Sequence, residues 1–108
     1  MNGAFEIREY TEAEKSPFAD WFNKLDPMTA ARADRYVRRL EAGNFGAAKL
    51  LRECLFELRL DFGPGYRIYY GRDGRTIIIL LGGGSKRGQD ADITSAVVRW
   101  RRYRQARA

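Results

Sequence analysis

The segment 57-ELRLDFGPGYRIYY-70 groups charged side chains on both sides of a Gly-Pro-Gly turn. Glu57 and Arg59 stand two residues apart before the turn, and Arg67 and Tyr69 stand two apart after it. Residues two apart on a β-strand point to the same face of the sheet. We therefore expect a hairpin that carries a carboxylate and two guanidinium groups on one face.

Two further cations, Lys86 and Arg87, follow the apolar segment 76-TIIILLGGG-84. Cations around one carboxylate suit a phosphodiester, because a guanidinium matches phosphate oxygens and fixed positive charge stabilises a phosphorane. RNA can be cleaved without a metal if a base takes the 2′-hydroxyl proton and an acid protonates the 5′ leaving oxygen. The predicted catalytic residues are Glu57 as the base and, for charge and the leaving group, Arg59, Arg67 and Lys86.

Simpler interpretations of the same residues stay open. Glu57 and Arg59 fit a solvated pair on an exposed strand, and Arg67 fits a cross-strand partner of Asp61. Lys86 and Arg87 after three glycines lack the spacing of a phosphate-binding P-loop, which argues against nucleotide binding. Tyrosines in a hairpin serve packing as well as stacking on a base. The residues predicted to bind RNA are Tyr69, Arg72 and Arg87.

The residue types that are rare in this chain exclude several kinds of site. Histidine is absent and Cys54 is the one cysteine among the 108 residues, so neither a zinc site nor an internal disulfide is expected. We predict no metal and no cofactor, and we expect Cys54 to be buried as a small apolar side chain. Because no segment has the length and apolarity of a membrane span or a signal peptide, we expect a cytoplasmic protein.

The positive charge lies in one half of the chain. Residues 1–54 hold nine Lys or Arg and nine Asp or Glu, whereas residues 55–108 hold eleven against five. The net charge of +6 therefore belongs to the second half, where the candidate site lies. This asymmetry predicts a polyanionic partner, either a nucleic acid or an acidic protein segment.

The apolar periodicity predicts a single α+β domain over residues 1–108, with the order β-α-α-β-β-β-α. Helical spacing in 16-SPFADWFNKLD-26 and 28-MTAARADRYVRRLEA-42 predicts a helical hairpin. Period-two alternation from residue 55 predicts a mainly antiparallel sheet, and a final helix carries Trp100. Residues 45–54 are interpreted as a loop or short turn, although a helix also fits. We expect the helices to cover one face of the sheet and to leave the face of Glu57 open.

The segments 57-ELR-59, 63-GPGYRIYY-70 and 82-GGGSKRGQDADI-93, with the helical hairpin and Trp100, resemble the RelE/ParE superfamily of bacterial toxins. The resemblance covers nearly the whole chain and is strongest to the addiction-module killer proteins of the HigB-like branch. It implies a RelE-like fold and a metal-independent endoribonuclease that cuts mRNA at the ribosome. The site residues that it implies are Glu57, Arg59, Arg67, Lys86 and Arg87.

The resemblance also implies a partner and an alternative activity. The partner is a cognate antitoxin encoded nearby, of the small helix-turn-helix DNA-binding kind, which covers or disrupts the toxin's site. The alternative is a ParE-like inhibitor of DNA gyrase without catalysis of its own. Some members of the superfamily have a tyrosine or histidine near the last helix as acid or base, whereas this chain reads 89-QDADITSA-96. The identity of the acid therefore stays open.

Overall fold

The computed structural model describes residues 4–107 and confirms the α+β class. Within these residues, no helix combines the length and the apolarity needed to cross a membrane. The elements in chain order are β1 (Glu6–Glu9), α1 (Pro17–Phe22), α2 (Pro27–Glu41), β2 (Ala48–Arg52), β3 (Leu55–Arg59), β4 (Arg67–Asp73), β5 (Ile77–Gly84), a 3-10 turn (Lys86–Gly88) and α3 (Gln89–Arg107).

Five strands form one sheet in the order β1-β5-β4-β3-β2. The strands β2 to β5 pair antiparallel with their neighbours, and β1 pairs parallel with β5. The alternation predicted from residue 55 onward is confirmed, because Leu58 and Leu60 face one core and Leu55 faces another. The sheet is thus mainly antiparallel, as expected.

The expectation of a loop over residues 45–54 is wrong, because Ala48–Arg52 forms the edge strand β2. A bulge between Leu50 and Arg52 breaks the alternation of side chains, which removes the sequence signal of a strand. The turn that follows places Glu53 and Cys54 at positive φ, a conformation that non-glycine residues adopt seldom. Cys54 is exposed in this turn, so the expectation of a buried cysteine is also wrong.

The helices α1 and α2 form the predicted hairpin on one face of the sheet. Ser16 caps α1 by accepting a hydrogen bond from the amide of Ala19 (3.0 Å), and Asp26 caps α2 through the amide of Thr29 (3.1 Å). Buried side chains of both helices and of the sheet form one core, which comprises Phe18, Ala33, Val37, Leu40, Leu58, Leu60, Ile68, Tyr70, Ile78 and Leu80.

The opposite face of the sheet is covered by α3, and the expectation of an open face is wrong. Apolar side chains on alternate strand positions make this second core necessary, since they would otherwise be exposed. Its buried members are Tyr10, Leu55, Tyr69, Ile79, Leu81, Ala96 and Trp100. Trp100 lies so close to Gly71 that a methyl group there would overlap the indole ring, and its Nε1 donates to the carbonyl of Glu53 (2.7 Å).

Candidate functional site

Glu57 and Arg67 form a buried ion pair where β3 and β4 meet the first turn of α3. The Nε atom of Arg67 lies 3.6 Å from Oε2 of Glu57, and the two side chains are 6% and 8% exposed, respectively. Gln89, the first residue of α3, donates from Nε2 to the same Oε2 atom at 2.9 Å. Among residues 4–107, Oε1 accepts no hydrogen bond of good geometry, and the Tyr69 hydroxyl lies near this carboxylate.

Arg67 connects this pair to the Gly-Pro-Gly turn. Its Nη1 donates to the carbonyl of Gly65 at 2.6 Å, and the amide of Lys86 donates to the carbonyl of Pro64 at 3.2 Å. A Cβ atom placed on Gly65 would lie 3.0 Å from Cβ of Lys86 and 3.1 Å from Nη1 of Arg67. The structure therefore brings Lys86 and Arg67 together, although 19 residues separate them along the chain.

Three exposed cations lie on the segments next to the buried pair, namely Arg59 on β3 and Lys86 and Arg87 in the 3-10 turn. Arg59 lies directly opposite Arg67 on the neighbouring strand. None of the three belongs to an ion pair with another residue of the described chain. Unpaired cations on neighbouring segments attract an anion, and a phosphodiester is an anion whose oxygens a guanidinium matches.

Tyr69 lies inside the molecule and does not present its ring to solvent, since it is only 1% exposed. It stands opposite Glu57 in the β3–β4 pair, and no hydrogen-bond partner is recorded for its hydroxyl in residues 4–107. Burial raises the pKa of Tyr69 above its usual value, and the negative charges of Glu57 and Asp92 raise it further. A contact with RNA through the exposed ring, as predicted for Tyr69, does not fit this position.

Arg72, also predicted to bind RNA, is not part of this group. Its guanidinium lies over the rings of Phe45 (4.6 Å) and Phe5 (5.2 Å). Both aromatic rings pack against the core under α1 and α2, on the face opposite to Glu57. The arrangement is a cation–π stack that stabilises the core edge. Asp61, the other partner considered for Arg67, instead accepts a hydrogen bond from the hydroxyl of Tyr36.

The site contains three residues that the sequence did not reveal: Lys49, Gln89 and Asp92. Lys49 is exposed and stands directly opposite Glu57 on β2, the strand that was missed. Gln89 and Asp92 belong to the first turn of α3, and only the covering of this sheet face by α3 brings them to the site. The sequence signal for Asp92 was its charge at the start of the last helix. Charge alone does not indicate which residues of the sheet lie next to it. In residues 4–107, no three His, Cys, Asp or Glu side chains are grouped as metal ligands.

Comparison with known proteins places the chain in one protein family. The family model described as "Phage derived protein Gp49-like (DUF891)" matches residues 20–101. An uncharacterized protein of Haemophilus influenzae is 42% identical over 80 residues, which are 73% of this chain and 81% of that protein. The region matched by the family model begins in α1 and ends in α3, so it contains every candidate residue described above.

Proposed function

Since the chain belongs to the phage-derived Gp49-like family, a toxin family of toxin–antitoxin systems, we propose that it is a type II toxin that cleaves mRNA. One observation carries this proposal above the others. A buried carboxylate lies beside Arg67, and the neighbouring segments carry three exposed cations that have no ion-pair partner within residues 4–107. An inhibitor that acts only by binding has no need for this carboxylate.

In the proposed reaction, Oε1 of Glu57 takes the proton of a 2′-hydroxyl, and the 2′ oxygen attacks the adjacent phosphorus. Arg67 holds the Glu57 carboxylate in place through Oε2. Arg59 and Lys86 stabilise the charge that develops on the phosphorane oxygens. The bond from phosphorus to the 5′ oxygen then breaks as an acid at the site gives a proton to that oxygen, and the products are a 2′,3′-cyclic phosphate and a 5′-hydroxyl. Every step uses side chains of this chain and the RNA itself, so the proposed reaction is independent of metal.

The substrate reaches Glu57 from the side of Gln89. A general base must come within about 2.6–3.2 Å of the proton's donor atom, and these contacts commonly tighten only when the substrate binds. The Glu57 side chain is 8% exposed beneath Gln89, so the proposal requires the Gln89 side chain to rotate away. The ribosome is the proposed setting, because it presents single-stranded mRNA with its phosphates accessible. The proposed regulator is an acidic antitoxin of the helix-turn-helix kind, which suits the net charge of +6.

The test uses a translating extract with a defined mRNA and maps the new 5′ ends. We expect cleavage within codons, 2′,3′-cyclic phosphate ends and no inhibition of ribosome-free cleavage by EDTA if free RNA is also cut. The variant Arg59→Ala should cut about 100-fold more slowly, because removal of one group that stabilises the transition state has an effect of this order. Arg35→Ala is the matched control, because Arg35 is equally exposed but lies on α2.

An intact mRNA would contradict the nuclease proposal. If the same preparation blocked supercoiling by DNA gyrase, the result would support a ParE-like inhibitor instead. Equal cleavage by the wild type, Arg59→Ala and Arg35→Ala would support the nuclease activity but would contradict the proposed location of its active site.

A further inference from the structure

Asp92 is a second carboxylate at the same site, and nothing in the reaction above uses it. It lies in the first turn of α3, directly over Gly84 at the end of β5. A methyl group on Gly84 would overlap the Asp92 carboxylate, and one on Gly88 would lie 3.3 Å from Oδ2. Two glycines of the segment 82-GGGSKRG-88 therefore make room for this side chain.

The register of the sheet places Asp92 and Glu57 on opposite sides of Arg67. Gly84, under Asp92, stands directly opposite Arg67 on β4, while Glu57 lies on the other neighbouring strand, β3. Adjacent strands are about 4.8 Å apart, so the two carboxylates belong to positions on either side of β4. Attacking and leaving oxygens lie roughly in line on opposite sides of a reacting phosphorus. A base on one side and an acid on the other side is the arrangement that such a reaction needs.

A buried group without a partner supports the presence of a ligand between these two carboxylates. The Tyr69 hydroxyl, which lies near both Glu57 and Asp92, makes no hydrogen bond of good geometry among the described residues. Buried polar atoms are nearly always satisfied in native proteins, so this hydroxyl is a donor that a ligand between the two carboxylates would satisfy. A hydroxyl donor at this place suits an anionic oxygen.

We propose that Asp92 is the catalytic acid that protonates the 5′ oxygen as its bond to phosphorus breaks. This inference rests on the proposed function and deepens it. The proton that Glu57 removes from the 2′-hydroxyl stays on Glu57, and the proton on Asp92 passes to the leaving oxygen, so the products are neutral at the 5′ end. Asp92 ends as a carboxylate and regains its proton from water.

The surroundings of Asp92 suit a proton donor. Burial raises the pKa of Asp92 above its usual value, whereas the positive charge of Arg99 on the same helix opposes the increase. Across from α3, the titratable and charged neighbours are Tyr69 and Arg67 on β4, and Lys86 and Arg87 lie in the turn before the helix. No hydrogen bond to the Asp92 side chain is present in residues 4–107, in contrast to Glu57, which accepts one from Gln89.

The test compares two substrates that differ in the leaving atom. One is an mRNA on a programmed ribosome with the ordinary 5′ oxygen at the scissile bond, and the other has a bridging sulfur at that position. A thiolate leaves without protonation, so loss of the acid should affect only the oxygen substrate. We expect Asp92→Asn to cut the oxygen substrate at least about 100-fold more slowly, which is the usual contribution of a general acid. It should cut the sulfur substrate within about threefold of the wild type.

Three companion variants separate an acid from a structural residue. Asp90→Asn changes an exposed aspartate two residues away on the same helix and should cut both substrates normally. Glu57→Gln should be slow on both substrates, because the base acts before the leaving group departs. Gly84→Ala displaces the Asp92 carboxylate without removing it, and it should repeat the pattern of Asp92→Asn.

Each other outcome overturns the inference. Equal slowing of both substrates by Asp92→Asn would make Asp92 a packing or positioning residue. Normal cleavage of the oxygen substrate by that variant would remove Asp92 from the reaction while leaving the nuclease intact. If the wild type cut neither substrate, the result would contradict the proposed nuclease function and therefore also the role of Asp92. Far-UV circular dichroism of each variant identifies a loss of folding.

Discussion

The pairing of Glu57 with Arg67 predicts an unusually large energetic coupling between two charged side chains. Both are at least nine-tenths buried, and their closest atoms are 3.6 Å apart. Removing one partner of a buried pair leaves an unpaired buried charge, which costs about 3–5 kcal/mol, whereas replacing both partners is often close to neutral. We therefore expect Glu57→Gln and Arg67→Met each to be strongly destabilising, and the double variant to recover most of the loss.

Urea unfolding monitored by tryptophan fluorescence measures this effect. A loss of about 4 kcal/mol, divided by a slope of about 2 kcal/mol per molar urea, lowers the unfolding midpoint by about 2 M. The double variant should unfold within about 0.5 M of the wild type, on the same arithmetic for a residual cost near 1 kcal/mol. The coupling energy between the two sites should then reach several kcal/mol, far above the additivity seen for independent sites.

A surface pair provides the matched control. Arg38 and Glu41 on α2 approach more closely, at 2.8 Å, but their side chains are 51% and 45% exposed. Exposed pairs contribute about 0–1 kcal/mol, so Arg38→Met and Glu41→Gln should change the midpoint little. If Glu57→Gln or Arg67→Met were equally mild, or if their effects simply added, the pair would be solvated, and the buried site described above would be refuted.

Three further predictions concern packing, pH and the missed strand. Gly71→Ala should destabilise the protein by about 1–3 kcal/mol, because the added methyl overlaps the ring of Trp100; unchanged thermal unfolding and near-UV circular dichroism would contradict this packing. Burial raises the pKa of Tyr70 to about 12, so its contribution to stability is complete below pH 10 and is lost as the pH rises from 10 to about 12; Tyr70→Phe should flatten that decline in urea titrations, and an unchanged slope would refute it. Lys49→Ala should weaken RNA binding and reduce its salt dependence by about one counterion, because Lys49 stands opposite Glu57; a slope equal to that of the wild type would place Lys49 outside the RNA path.

The β3–β4 hairpin could be predicted because its signal is local. Side chains alternate along any strand, so Leu58 and Glu57 had to face opposite sides once residues 55–62 were interpreted as a strand. The structure confirms this division, with Leu58 in the core under α1 and α2 and Glu57 beside α3. The grouping of Glu57 with Arg67 follows from the same alternation and from the turn between them.

The strand β2 could not be predicted from its own residues, because its bulge at Leu51 removes the period-two signal. The segment is a strand because it pairs with β3, and this pairing places Lys49 opposite Glu57. The position of α3 could not be predicted from the sequence for a different reason. The stripe that includes Ala96 and Trp100 predicts a buried helix face, but it does not say which face of the sheet receives it. That choice depends on contacts between segments far apart in the chain.

The position of α3 nevertheless follows from distances once the sheet is known. Leu55, Gly71 and Ile79 stand side by side on β3, β4 and β5, and Trp100 packs over Gly71 in this row. Arg59, Arg67 and Gly84 form a parallel row four residues away on β3, which is about 13 Å at the rise of a strand. Asp92 lies eight residues before Trp100, which is about 12 Å along a helix.

One helix can therefore reach both rows at once. Trp100 fixes the end of α3 that lies over the apolar row, and the matching length then sets Asp92 over Gly84 in the charged row. The first turn of α3 is held to the sheet by the polar contact of Gln89 with Glu57, and Trp100 holds the other end by apolar packing. Polar contacts at the surface exchange with water or with a ligand at low cost, whereas a packed indole does not. The rotation of the Gln89 side chain that the proposed reaction requires therefore leaves the packing of Trp100 intact.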